Sequence, residues 1–177
     1  MKHIGIAVFG ALLALSTLAP AAHAVQGIYG TMWEPKDTDG KGYGFGFRST
    51  LRVNPYISFD TRASWVKFKD DDLNVIPIEA TAMLKLGMVY TGIGGGYYVF
   101  DSNNNVDLDN NFGWYALAGI DVPAGPVGVF AEVKWLELST DGHITGGVAP
   151  ASGSSTSAHL EANGLGFNIG VMFAPKI

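Results

Sequence analysis

Residues 127–135 read VGVFAEVKW, and they alternate. Val127, Val129, Ala131, Val133 and Trp135 fall on one side of an extended chain, and Gly128, Phe130, Glu132 and Lys134 on the other. One face is apolar throughout, while the other holds two full charges in mid-strand. The pattern recurs. Ile57, Phe59, Thr61, Ala63 and Trp65 oppose Ser58, Asp60, Arg62 and Ser64; Tyr43, Phe45 and Phe47 oppose Gly42, Gly44, Gly46 and Arg48; Leu165, Phe167, Ile169, Val171 and Phe173 oppose Gly166, Asn168, Gly170 and Met172. A sealed apolar interior does not tolerate unpaired charge. A water-soluble ligand-binding barrel, which keeps its apolar face inside, therefore does not fit. The apolar face is expected outside and the charged face inside, the arrangement of a barrel in lipid.

Period-two alternation bounded by turn residues predicts eight strands, over 26–33, 42–52, 55–67, 75–85, 88–99, 113–122, 127–138 and 164–173. Outside the N-terminal segment no stretch longer than a few residues has a helical period. The connections alternate in length: EPKDTDGK, then VNP, KDDDLN, a turn at Leu86-Gly87, DSNNNVDLDNN, PAGP, and the long 139–163. Antiparallel neighbours joined up-and-down give that alternation, with short turns at one end and longer loops at the other. The expected fold is all-β, an eight-stranded antiparallel up-and-down transmembrane β-barrel.

The stretch VYTGIGGGYYVF at 89–100 belongs to this pattern and not to a nucleotide site. A dinucleotide loop needs G-x-G-x-x-G opening a helix, and Tyr97 stands where the third glycine belongs. In a strand, Gly92, Gly94 and Gly96 share the lumen face, where they leave room for long charged side chains from neighbouring strands. An eight-stranded barrel has only enough interior to be filled by side chains.

The first 24 residues carry Lys2, an uncharged apolar run over 4–18, and Ala22-His23-Ala24. That is the layout of a cleavable signal peptide, and the apolar run is shorter than the roughly 20 residues a spanning helix needs. Residues 25–177 then form one barrel domain. There is no cysteine, which excludes a disulfide framework and thiolate metal sites. A net charge of −5 argues against nucleic-acid binding.

Together the signal peptide, the VYTGIGGGYYVF strand, the strand FGWYALAGIDVP and the closing LGFNIGVMF resemble small bacterial outer-membrane β-barrel proteins of the OmpA, OmpX and OmpW type. The resemblance spans residues 25–177 as pattern. It implies residence in the cell outer membrane of a Gram-negative bacterium, contact with outer-membrane lipid and lipopolysaccharide, insertion by the outer-membrane assembly machinery through the C-terminal strand, and a monomer. The function it implies is non-enzymatic: a structural or cell-surface role, or passage of small molecules, hydrophobic ones included. A surface-loop adhesin or protection protein is the alternative, and a lipid A-modifying enzyme the second.

For an enzyme the residues are poor. After residue 24 the only histidines are His143 and His159, which lie with Ser154, Ser155 and Ser157 in a Gly/Ser/Ala-rich segment without strand pattern. A nucleophile and its base need rigid support. DSNNNVDLDNN spaces oxygen side chains like a Ca²⁺ loop, but Val106 and Phe112 stand where an EF-hand needs glycine and glutamate. No catalytic residue, metal or cofactor is expected. Two groups of residues are. Arg48, Arg52, Asp60, Arg62, Glu79, Lys85, Asp121, Glu132 and Lys134 should form a lumen charge network, with Arg62 central and Glu79 and Glu132 as its partners. Trp33, Tyr43, Trp65, Tyr97, Trp114 and Trp135 should form an outer aromatic girdle.

Overall fold

The computed structural model describes residues 24–36, 40–68, 73–102, 106–108, 110–144, 157–161 and 163–173. The expected signal peptide lies outside them, apart from Ala24. The strands are β1 (Ala24–Pro35), β2 (Gly42–Arg52), β3 (Ile57–Phe68), β4 (Leu73–Leu86), β5 (Val89–Ser102), β6 (Val106–Leu108), β7 (Asn111–Ala124), β8 (Val127–Glu137), β9 (Ser139–Ile144), β10 (Ser157–Glu161) and β11 (Gly164–Phe173). Eight of them close a barrel in the order β1-β11-β8-β7-β5-β4-β3-β2. Every neighbouring pair is antiparallel, and β1 meets β11 from Gln26↔Phe173 to Pro35↔Gly164. Closure leaves no strand edge in the wall, as a sheet in lipid requires.

Tight connections lie at one end, here called the turn end. Gly87 and Gly125 each open a two-residue turn at φ 68°, a left-handed backbone that glycine adopts at no steric cost. The third turn is held by Asn54, whose side-chain oxygen accepts from the N–H groups of Tyr56 (2.8 Å) and Ile57 (2.7 Å). The four longer connections lie at the opposite, loop end.

Two features differ from expectation. Segment 139–163 is not free of strand: β9 and β10 pair from Ser139↔Glu161 to Ser157↔His143, and β6 adds on through Val106↔Ile144. These pairs keep the register set by Leu136↔Gly164 at the top of the β8–β11 ladder, so the hairpin continues beyond the barrel as a three-stranded sheet. Inherited register, not apolar alternation, produces these strands. The second difference is an interruption in the β3–β4 ladder. The β3–β4 ladder runs to Ala63↔Ile78 and resumes at Val66↔Val75, leaving Ser64 and Trp65 unmatched opposite Pro77 and Ile76. Proline has no N–H to donate and is found in sheets at edges or bulges, yet Pro77 sits inside a closed wall.

The two surfaces divide as the alternation predicts for most strands. Outside, large apolar side chains stand uncovered, Ile93 at 70% and Ile169 at 64% exposure. Inside, three layers stack. Trp33, Val66, Phe68, Val75, Tyr98, Leu136 and Leu138 fill the loop end. Charged residues fill the middle. Val25, Tyr29, Phe130 and Met172 close the turn end.

Candidate functional site: the lumen and its wall

The middle layer is an ion-pair network. Six of the nine expected residues, Arg48, Asp60, Arg62, Glu79, Glu132 and Lys134, are buried in it. The Arg62 guanidinium reaches across the lumen and donates to both oxygens of Glu132, with Nη2 3.0 Å from Oε2. Its Nε donates to Asp60 at 2.6 Å. Glu132 also accepts from the Tyr90 hydroxyl (2.8 Å) and the Asn168 amide (2.7 Å). Asp60 accepts from Arg48 Nε (3.3 Å) and Thr50 Oγ1 (2.7 Å), and Arg48 Nη2 lies 3.1 Å from its other oxygen. Arg48 also stacks on Phe130, 4.3 Å from the ring centroid. On the far wall Glu79 accepts from Lys134 (2.5 Å) and Tyr98 (2.7 Å). Three cations thus face three anions, the balance a buried layer requires if every charge is to be paired and hydrogen-bonded.

Three of the nine stand apart. Lys85 and Asp121 pair with each other at 2.9 Å near the turn end, their side chains only 14% exposed. Arg52 is exposed at the last position of β2 and is not in the network. Alternation points it inward, but the strand has reached the rim there. Glu79, expected as a partner of Arg62, is its direct neighbour across β3–β4, yet Glu79 binds Lys134. A guanidinium long enough to cross the lumen finds Glu132 instead.

Of the girdle residues, Tyr43, Tyr97, Trp65, Trp114 and Trp135 are exposed on the outer face toward the loop end. Trp33 is a correction. It points into the lumen at 5% exposure and packs edge-on against Phe68, centroids 5.4 Å apart. Directly opposite it stand Gly42 on β2 and Gly166 on β11, and the space a Cβ would need is taken by Phe68 and Val66 at Gly42 and by Lys134 at Gly166. The role of the lumen glycines is revised in the same way. Gly96 makes room for Glu79, whose Cγ a Cβ there would meet at 2.8 Å, but Gly94 lies under Tyr115 (2.6 Å) and Gly46 under Tyr29 (2.5 Å). The rings of Tyr29, Tyr90, Tyr98 and Tyr115 are buried in the lumen, and none of these was singled out from sequence. Tyr90 and Tyr98 share parity with Gly92, Gly94 and Gly96, a signal available in the chain.

Chemically the lumen is filled and its charges are paired, although Trp33 Nε1, Arg48 Nη1, Ser58 Oγ and Asn168 Oδ1 have no hydrogen-bond partner among the described residues. Among the described residues no group of three or more His, Cys, Asp or Glu side chains is disposed to hold a metal ion. His143 and His159 stand on β9 and β10 beyond the barrel, and Ser154 and Ser155 lie outside the described residues.

An apolar exterior around a charged, filled interior with eight strands defines the class: this chain has the fold of the small bacterial outer-membrane β-barrels. No family model and no curated protein sequence matches it. Among solved structures, the outer membrane protein OprG from Pseudomonas aeruginosa aligns over 85% of this chain and 93% of its own, at 14% identity and a TM-score of 0.58. The outer membrane protein AlkL aligns over 88% and 91% at 13% identity and 0.58, and Neisserial surface protein A over 87% and 97% at 15% identity and 0.56. The likeness is one of fold.

Proposed function

We propose that the protein is an integral outer-membrane barrel that admits small apolar molecules from its loop end and releases them sideways into lipid, with no aqueous path through to the turn end. The observation that carries this reading is where the β3–β4 ladder is interrupted. The Pro77 interruption lies at the boundary between the apolar upper lumen, with Val66, Val75 and Tyr98, and the ion-paired layer beginning at Glu79 and Arg62. A small apolar molecule displacing the upper side chains meets a charged floor it cannot desolvate. The weakest side wall at that level is the stretch of ladder that proline interrupts. In this reading residues 1–24 direct export and are cleaved, the assembly machinery inserts residues 25–177, and a monomer sits among lipid and lipopolysaccharide and performs no catalysis.

Expression in a Gram-negative host with intact lipopolysaccharide tests it. An apolar naphthylamine dye, normally excluded by such a surface, should enter faster with the protein than without. Pro77→Ala, which restores an N–H to the ladder, should slow that entry while leaving the folded band intact on unheated gels. Stable conductance steps in a planar bilayer, or unchanged dye entry with Pro77→Ala, would overturn it. The sheet of β6, β9 and β10 beyond the rim supports the surface-binding alternative, and adhesion of cells expressing a 145–156 deletion distinguishes that one.

A further inference from the structure

The outward face at the loop end is not uniform around the barrel. On β8, β11 and β1 the cross-strand row runs Trp135↔Leu165↔Glu34. Glu34 is met from the β2 side by Lys41, 3.2 Å away. One step toward the barrel middle, Tyr43 stands opposite Lys67 of β3. Just past β1, Lys36 lays its ammonium over Trp135, 5.3 Å from the ring centroid, and its backbone N–H is held by the Asn163 carbonyl at 2.6 Å. Lys36 and Lys41 are exposed and Lys67 is half-buried. The other outward charges at this level are Asp101 of β5, away from this row, and Glu137, two residues beyond Trp135 on β8 at the edge of the row. All the outward loop-end cations among the described residues therefore gather on one sector, in a chain whose net charge is −5.

We propose that this sector, with Lys36, Lys41 and Lys67 over an aromatic floor of Trp135, Tyr43 and Trp65, is a docking face for the phosphorylated sugar headgroup of an outer-leaflet glycolipid. The proposal rests on the outer-membrane reading above. Aromatic rings of this kind settle at headgroup level, which puts the three ammonium groups at the height of lipid phosphates. Ammonium groups are compact charges suited to phosphate. They keep their stems on the apolar wall and their heads in the polar layer. Glu34 sits within the face and competes for Lys41, so the arrangement makes a signed prediction: neutralising Glu34 strengthens binding.

The test uses the full-length folded protein in detergent, titrated with diphosphorylated lipid A and with the same lipid stripped of its phosphates, and read by native mass spectrometry. Wild type should prefer the phosphorylated lipid. Lys36→Gln, Lys41→Gln and Lys67→Gln together should weaken that binding by about tenfold or more, and the double variant without Lys67→Gln should lose part of it. Glu34→Gln should tighten it, and millimolar inorganic phosphate should not displace the lipid. Equal binding of stripped and phosphorylated lipid, unchanged affinity in the folded lysine variants, weaker binding with Glu34→Gln, or displacement by free phosphate each overturns the proposal. Any of these in a folded barrel leaves the membrane reading standing, whereas recovery of the chain as a soluble periplasmic protein removes both.

Discussion

Replacing Glu132 with alanine probes whether the lumen is a bonded solid or a wet channel. Glu132 accepts two hydrogen bonds from Arg62 and one each from Tyr90 and Asn168. Its removal leaves two guanidinium nitrogens, a phenol and an amide without their acceptor, and one positive charge in excess. Breaking a buried ion pair at one partner costs about 3–5 kcal/mol. Arg62 keeps Asp60 and Arg48 remains stacked on Phe130, so the lower half of that range, about 3 kcal/mol, is expected. Removing Arg62 as well restores neutrality and leaves Asp60 bound to Arg48 and Thr50. The double variant Glu132→Ala, Arg62→Ala should then be more stable than the sum of the singles implies by about 1–3 kcal/mol. At the turn-end rim, where Lys85 and Asp121 keep some contact with water, Asp121→Asn should cost clearly less, about 1 kcal/mol. Urea unfolding in lipid, followed by tryptophan fluorescence and by gel migration with and without heating, measures all four. Strictly additive losses, each below about 1 kcal/mol, would refute the reasoning and describe an open hydrated lumen.

Lysine at Ile169 or Val129, both outward and exposed, should cost about 2–4 kcal/mol in the same titration if they lie at the bilayer midplane. Single-tryptophan variants in brominated lipid should show Trp65, Trp114 and Trp135 quenched at shallow depth and Trp33 protected. Gly94→Ala should cost about 1–3 kcal/mol by crowding Tyr115, while Gly30→Ala, with its nearest atom at 4.0 Å, should be close to neutral; equal effects at the two sites would show that Gly94 is not holding the ring. Removing residues 145–156 should leave the barrel folded by heat-modifiable migration, since the eight wall strands pair without them.

Strand existence and facing were legible from the chain because side-chain period two is a local property. Wherever a strand carries a charge in its middle, as β3 does with Arg62 or β8 with Glu132, one residue suffices to tell the lumen side from the outside. β1 has no such marker. Its lumen face is Val25, Gly27, Tyr29, Thr31 and Trp33, and its outer face Gln26, Ile28, Gly30, Met32 and Glu34. Both faces mix small and large residues, and the only charge sits at the rim pointing out. What holds Trp33 inside is its ring packing against Phe68 of β3 and Tyr98 of β5, both distant in the chain and brought alongside only by the tertiary fold. The same limit governs the network. Alternation selects which charges enter the lumen, but Arg62 reaches past its neighbour Glu79 to Glu132, 70 residues on, because in a lumen one side chain wide the far wall is as close as the adjacent strand. Local periodicity therefore decided that this chain makes a barrel with apolar outside and charged inside. Three-dimensional closure decided which charges pair, where the rings stand, and that the β3–β4 ladder is interrupted at Pro77.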